Sequence, residues 1–200
     1  MSRSANTNVG NGYRLTFILG ILFLGVGCAI LGKLFYAPAK AELVYAVHPP
    51  AASVLTPPNT DFAIVIPAIG AAAPIVTNVN PYNVPEYEQA LSHGVAHSVG
   101  SGLPGQGKNI FLFAHSSVDL LVATRFNSVF YLIHHLRSGD DIQIWYHGTE
   151  HTYVVVGQKI VAPTDVSIMA AGGTEKLTLM TCWPPGTSLE RLIVTALPKK

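Results

Sequence analysis

From Asp61 onward the chain is cut by proline and glycine into short apolar runs, and this spacing restricts its fold more than any other feature. Phe62-Ala63-Ile64-Val65-Ile66 is stopped by Pro67, and Pro74-Ile75-Val76-Thr77 makes a second run. Asn109 to Ala114 is apolar almost throughout and reads as a buried strand leading to His115. Asp140 to Tyr146 alternates, with Ile142 and Ile144 on one face. Gly148-Thr149 turns the chain into Thr152 to Val156, a hairpin whose second strand continues toward Ile160. Lys176 to Thr181 and Arg191 to Ala196 are the last two strands. Helical pattern is confined to Pro85–Leu91, with proline at an early helical position, and to one or two turns between Ser128 and Leu136. Gly100 to Lys108 is a glycine-rich loop. Strands dominate, helices are short, no strand–helix–strand alternation appears and no repeat is found. An all-β, closed or nearly closed barrel is the economical fold.

The N-terminus obeys a different rule. Leu15 to Gly32 is a stretch of 18 residues without a charge, close to the shortest helix that spans a bilayer. Lys33 can snorkel, so Leu34, Phe35 and Tyr36 extend the apolar part, and its aromatics suit the interface. The expected layout is a cytoplasmic N-terminus over 1–14, an anchor helix over 15–36, a Pro/Ala-rich linker over 37–60 and a folded domain over 61–200. Ala37-Pro38-Ala39 resembles a signal-peptidase site, but the apolar run is longer than a usual signal peptide's, so an uncleaved anchor is expected. In the linker, Pro38, Pro49, Pro50, Pro57 and Pro58 favour extended polyproline geometry, with a reach of roughly 70 Å at ~3.1 Å per residue. Positive charges flank the apolar run on both sides, and we expect a single-pass protein with its domain outside the cell membrane.

Charge excludes one class of partner. Lys and Arg total 12 against 11 Asp and Glu, so there is no basic field for nucleic acid. There are 2 cysteines, Cys28 in the apolar run and Cys182 in the domain, so no disulfide framework is available to the folded part.

Cys182 therefore stands out as the lone thiol of the domain. It ends a β-type segment and is followed by Trp183-Pro184-Pro185-Gly186, where a substrate can reach it. A cysteine nucleophile acts as thiolate and needs a base or cationic surroundings. His115 has the best context of the 8 histidines, because an apolar strand ends on it as another ends on Cys182. Arg191, always cationic and rich in donors, can hold a carbonyl or an oxyanion. The alternative is a buried cysteine, a surface histidine and a surface arginine paired with a carboxylate such as Glu190.

The same residues carry a family resemblance. Thr178-Leu179-Met180-Thr181-Cys182 matches the TLxTC signature of the sortases, membrane-anchored cysteine transpeptidases, and Arg191 follows nine residues on. Ile66-Pro67-Ala68-Ile69-Gly70, His93-Gly94-Val95-Ala96-His97 and Leu103-Pro104-Gly105 resemble the family's opening strands and the stretch before its histidine; Phe130, Leu132, Leu136, Gly139-Asp140, Ile142 and Ile144 fit the pattern after it. The similarity spans nearly all of residues 61–197. It implies a barrel of about eight strands. It also implies that Cys182 attacks an LPXTG-like sorting signal to form a thioester, that His115 moves the protons and that Arg191 stabilises the oxyanion. The implied partners are sorting-signal peptides of surface proteins and an amine acceptor of the cell envelope. The family's usual glycine before the histidine is Ala114 here. No Asp-Pro-aromatic lid motif precedes Ile64, so the likeness is to non-lidded, class D/E-like members, and Glu86 with Glu88 is too little for a calcium site.

Around that centre, Thr181, Trp183, Ala114 and Ile168 are the expected substrate-contacting residues; Thr181 is a lesser candidate for the oxyanion hole, and Trp183 serves equally well as core. The segment Ala162–Thr174, which holds Ile168, is a loop candidate for substrate selection. His93 and His97 have i, i+4 spacing, but no cofactor and no metal is expected; His134-His135 and His147 with His151 read as surface or hairpin residues. Two rival functions use the same fold: a sortase-like hydrolase that releases substrate to water, and a non-catalytic barrel that binds surface proteins.

Overall fold

The computed structural model describes residues 9–47, 55–116 and 129–200. Contacts divide the chain into two units, Met1–Ala41 and Glu42–Lys200. The described residues of the first unit lie in one helix, α1 (Val9–Val47), whose segment Tyr13–Lys33 is long and apolar enough to cross a membrane. The helix does not stop at Tyr36. It continues through residues 37–47, where the proline count suggested an extended linker. Ala39, Ala41, Glu42 and Leu43 are strong helix formers and outweigh the single Pro38. Residues 48–54, including Pro49 and Pro50, lie outside the described residues.

The second unit contains an eight-stranded closed barrel. Its strands are β1 (Phe62–Ile66), β2 (Ala71–Val79), β3 (Val95–Ser98), β4 (Asn109–Phe113), β5 (Asp141–Tyr146), β6 (Thr149–Val161), β7 (Lys176–Trp183) and β8 (Glu190–Pro198). They pair in the order β1-β2-β3-β4-β7-β8-β6-β5, and β5 closes back on β1. Six of the eight pairings are antiparallel. The β2/β3 and β4/β7 pairings are parallel. A parallel pair needs a crossover, and α2 (Val84–Leu91) supplies it between β2 and β3.

The sequence periodicities explain the packing. β1 and β4 are buried on both faces, as expected of continuous apolar runs. In β5 only Ile142 and Ile144 are buried, which is the period of two. These join Ile64, Ile66, Ile110, Leu112, Leu177, Leu179, Val194 and Ala196 in one core.

Three local features differ from the expected pattern. The β5–β6 turn is centred on His147 and Gly148, with φ of 47° and 79°, one residue earlier than Gly148-Thr149. Two successive positive φ values match the right-handed twist of a hairpin better than an ordinary turn. Helix between Ser128 and Leu136 is reduced to a single 3-10 turn, Ile133–His135; Ser128 itself lies outside the described residues. β3 carried too few residues to be separated from the histidines around it. It holds His97, which is buried, donates from Nε2 to the Gly102 carbonyl at 2.9 Å and also meets Ser101 Oγ at 2.8 Å.

Gly94 is required where β2 and β3 approach. A Cβ there would lie 2.2 Å from the Pro74 carbonyl oxygen. Gly94→Ala is expected to cost about 1–3 kcal/mol by overpacking, read as a lower denaturant midpoint. An unchanged midpoint would contradict the close β2–β3 approach.

Candidate active site

The site is built by register. All five Cα pairs of the parallel β4/β7 ladder, from Asn109↔Lys176 to Phe113↔Met180, have the same offset of 67 residues. Continued two residues past β4, that offset sets His115 beside Cys182. On the other side of β7, Cys182 is the antiparallel partner of Arg191 in β8. One rung across three neighbouring chain segments thus carries the imidazole, the thiol and the guanidinium. Residues on one rung share a face of the sheet.

Two hydrogen bonds maintain the rung where β4 ends. The Ala114 N–H donates to the Met180 carbonyl at 3.2 Å, and the Thr181 hydroxyl donates to the Ala114 carbonyl at 2.8 Å. Thr181 is buried, and its hydroxyl is committed to this bond. Its side chain therefore positions His115 and is not free to serve as an oxyanion donor.

Pro81, Tyr87, Leu91, Phe113, Ala114, His115, Met180, Thr181, Cys182 and Arg191 line one open cleft. The cleft brings together five of the seven residues expected from the sequence. Ile168 is not among them. It sits in a 3-10 turn (Val166–Met169), is buried in the core, and its carbonyl accepts from Asn109 Nδ2 at 3.1 Å. Asn109 is itself fully buried; it also donates to the Ala170 carbonyl and accepts from the Thr178 hydroxyl at 2.7 Å. This buried amide holds the segment before β7 against the barrel, and Ile168 faces protein because of it. Trp183 also lies outside the cleft lining. Its indole packs on His134, 5.5 Å between ring centres, and against the core.

The second wall was not apparent from the sequence. Tyr87 and Leu91, spaced i, i+4, share one face of α2 and close the cleft opposite the sheet. Burial, then the neighbouring Glu88 carboxylate and Cys182, hold the Tyr87 hydroxyl above its ordinary pKa, with Arg191 opposing. Glu88, considered before only as a calcium ligand, lies with Oε2 3.2 Å from His115 Nε2. A carboxylate accepts only, so Nε2 carries the proton and a neutral ring keeps its free lone pair on Nδ1. A helix with Tyr87, Glu88 and Leu91 at these spacings was visible as Pro85–Leu91, but nothing in the sequence said which strands it would cover.

Arg191 is partly exposed and donates from one terminal nitrogen to the carbonyls of Ser188 and Glu190, at 3.2 and 3.0 Å. These bonds brace one arm of the fork and leave donors for the cleft. A thiol, an imidazole oriented by a carboxylate and a fixed cation together suffice for nucleophilic acyl transfer.

A family model described as the sortase domain matches residues 64–199. Among solved structures, the lid mutant of sortase A from Corynebacterium diphtheriae is 27% identical, with a TM-score of 0.58, and the match covers 71% of each chain. Sortase C from Clostridium perfringens, solved with the C-terminal cell wall sorting motif, is 26% identical, with a TM-score of 0.57 and 69% of each chain covered. Sortase C-1 from Actinomyces oris shares the fold at 22% identity, with a TM-score of 0.60, over 81% of this chain and 84% of its own. No curated protein matches the chain.

Thr181→Val keeps the shape of the side chain and removes the donor. It leaves a buried carbonyl short of a partner, and a loss of about 1–3 kcal/mol is expected in denaturant unfolding. A slower reaction of Cys182 with substrate should accompany it. Unchanged stability together with an unchanged rate would refute the positioning role.

Proposed function

The chain belongs to the sortase family, and from that premise we propose that it is a surface-protein transpeptidase in which Cys182, His115 and Arg191 carry the chemistry. The observation that carries this reading is the single rung joining the three residues in an open cleft. A sorting-signal peptide of the LPXTG-like kind enters as an extended chain between α2 and the β4/β7/β8 sheet. His115 takes the Cys182 thiol proton on Nδ1, the thiolate attacks the carbonyl carbon at the cleavage point, and Arg191 donates to the oxygen as it gains charge. The C–N bond breaks, and His115 gives a proton to the leaving amine. The thioester on Cys182 then meets an incoming amine. That amine loses a proton to His115, its nitrogen bonds to the acyl carbon, and the thiolate departs. Glu88 holds the imidazole through both halves.

The acceptor is an amine of the cell envelope, and α1 anchors the enzyme with its barrel on the outer side of the membrane. A helix of this length and apolarity at Tyr13–Lys33 supports the anchor. The sorting motif bound by the Clostridium perfringens sortase C supports the substrate class.

The direct test is product analysis on the full-length chain in detergent, with an LPXTG-like peptide and triglycine as amine. The ligated product should form with wild type and vanish with Cys182→Ala. Water-released acid alone, at millimolar amine, would favour the hydrolase reading instead. Full processing by Cys182→Ala would leave only a binding role. Arg191→Lys keeps the charge and loses the planar fork. We expect its kcat to fall by about 10²–10³-fold; a kcat within threefold of wild type would remove Arg191 from the oxyanion role.

A further inference from the structure

A second group of chemically active side chains lies behind Trp183, outside the cleft. His134 and His135 follow one another in the 3-10 turn, and Glu42, from the part of α1 that belongs to the barrel unit, reaches both. Glu42 Oε1 is 3.3 Å from His134 Nε2, and Oε2 is 2.8 Å from His135 Nε2. All three ligand atoms lie within 4.8 Å of one another, and all three residues are partly buried. These histidines were expected at the surface, and Glu42 in an extended linker.

The ring of His134 is fixed from its other side. His134 Nδ1 is 2.9 Å from the Tyr131 carbonyl, which can only accept, so Nδ1 carries the proton. A neutral His134 then turns its Nε2 lone pair toward a carboxylate oxygen, acceptor against acceptor. A metal ion accepting from all three atoms removes the conflict.

The surroundings are those of a ligand set held in place. Nδ1–H to a backbone carbonyl fixes the tautomer that leaves Nε2 to ligate. The Tyr131 hydroxyl hydrogen-bonds to Glu42. Tyr45 stacks on the His135 ring at 4.2 Å between centres, and Trp183 packs on His134. Both rings are thereby restrained in orientation.

We propose that Glu42, His134 and His135 form a binding site for a divalent transition-metal ion of the zinc type. Two imidazole nitrogens and one carboxylate suit Zn²⁺, with water in the fourth position. The ion clasps residues 42–45 to the 3-10 turn that backs Trp183, the neighbour of the nucleophile.

The test uses the untagged full-length chain in detergent, stripped with chelator and titrated with Zn²⁺ and, separately, Co²⁺. One equivalent should bind, and Zn²⁺ should raise the unfolding midpoint. The Co²⁺ complex should show the visible bands of a four-coordinate nitrogen/oxygen site, without thiolate charge transfer. Cys182→Ala should bind equally, Glu42→Gln more weakly, and the His134→Ala/His135→Ala double variant should lose both binding and the midpoint shift. Wild-type protein that binds neither ion overturns the proposal. So does binding that survives in the double variant, or that disappears in Cys182→Ala, which would assign the ion to the catalytic cleft.

Discussion

The parallel pairing of β4 with β7 is the constraint on which the site depends. A constant register of 67 residues along the ladder carries His115 to Cys182, and the antiparallel β7/β8 pairing carries Arg191 to the same rung. Neither ladder reaches His115 itself. The connection passes through Ala114, gripped at its N–H by Met180 and at its carbonyl by Thr181. That grip gives a reason for a threonine before Cys182: a valine would fit the space but could not donate. It also gives Ala114 a defined task, presenting its backbone to β7 while its side chain remains small at the cleft.

The rest of the barrel keeps this rung both rigid and open. β4 and the first part of β7 are buried, with Asn109 bonding to Thr178 and to two carbonyls of the segment before β7. Just beyond them β4 ends, and His115, together with Cys182 and Arg191 at the end of the β7/β8 ladder, is partly exposed. A strand exit beside a buried ladder combines fixed geometry with access. Charged groups there avoid the desolvation cost they would meet one turn deeper. α2 adds the remaining wall and the Glu88 carboxylate that orients the imidazole.

Much of this was legible in the sequence, and the failures have physical causes. Strand-forming runs from Phe62 to Ile66 and from Asn109 to Phe113 are continuous and apolar, and Ile142 with Ile144 alternates cleanly, so local pattern sufficed. β3 has four residues and two of them are His97 and Ser98, so its strand character comes from its pairing partners. The proline count misled at residues 37–47, because helix propensity in the alanine-rich stretch exceeded the effect of one proline. A candidate site shared by His115, Cys182 and Arg191 was readable from residue type at strand ends and from the motif before the thiol, and the structure places all three in one cleft. Glu88, Tyr87 and Leu91 were not, since which face of a short helix meets which strands is a tertiary fact. Ile168 was assigned to the groove from its place in a loop; the buried Asn109 amide turns that loop inward. The Glu42–His134–His135 group joins residues more than ninety positions apart, beyond any local spacing rule.

If the rung formed by His115, Cys182 and Arg191 is the catalytic centre, the acyl group must pass through the Cys182 sulfur. The most direct measurement is intact-protein mass spectrometry of the full-length chain, incubated with sorting-signal peptides and no amine. We expect an adduct with the mass of the acyl fragment, mapped to Cys182 by proteolysis, cleared on adding amine and missing in Cys182→Ala. Peptide cleaved with no adduct at any time, or an adduct on another residue, would contradict it.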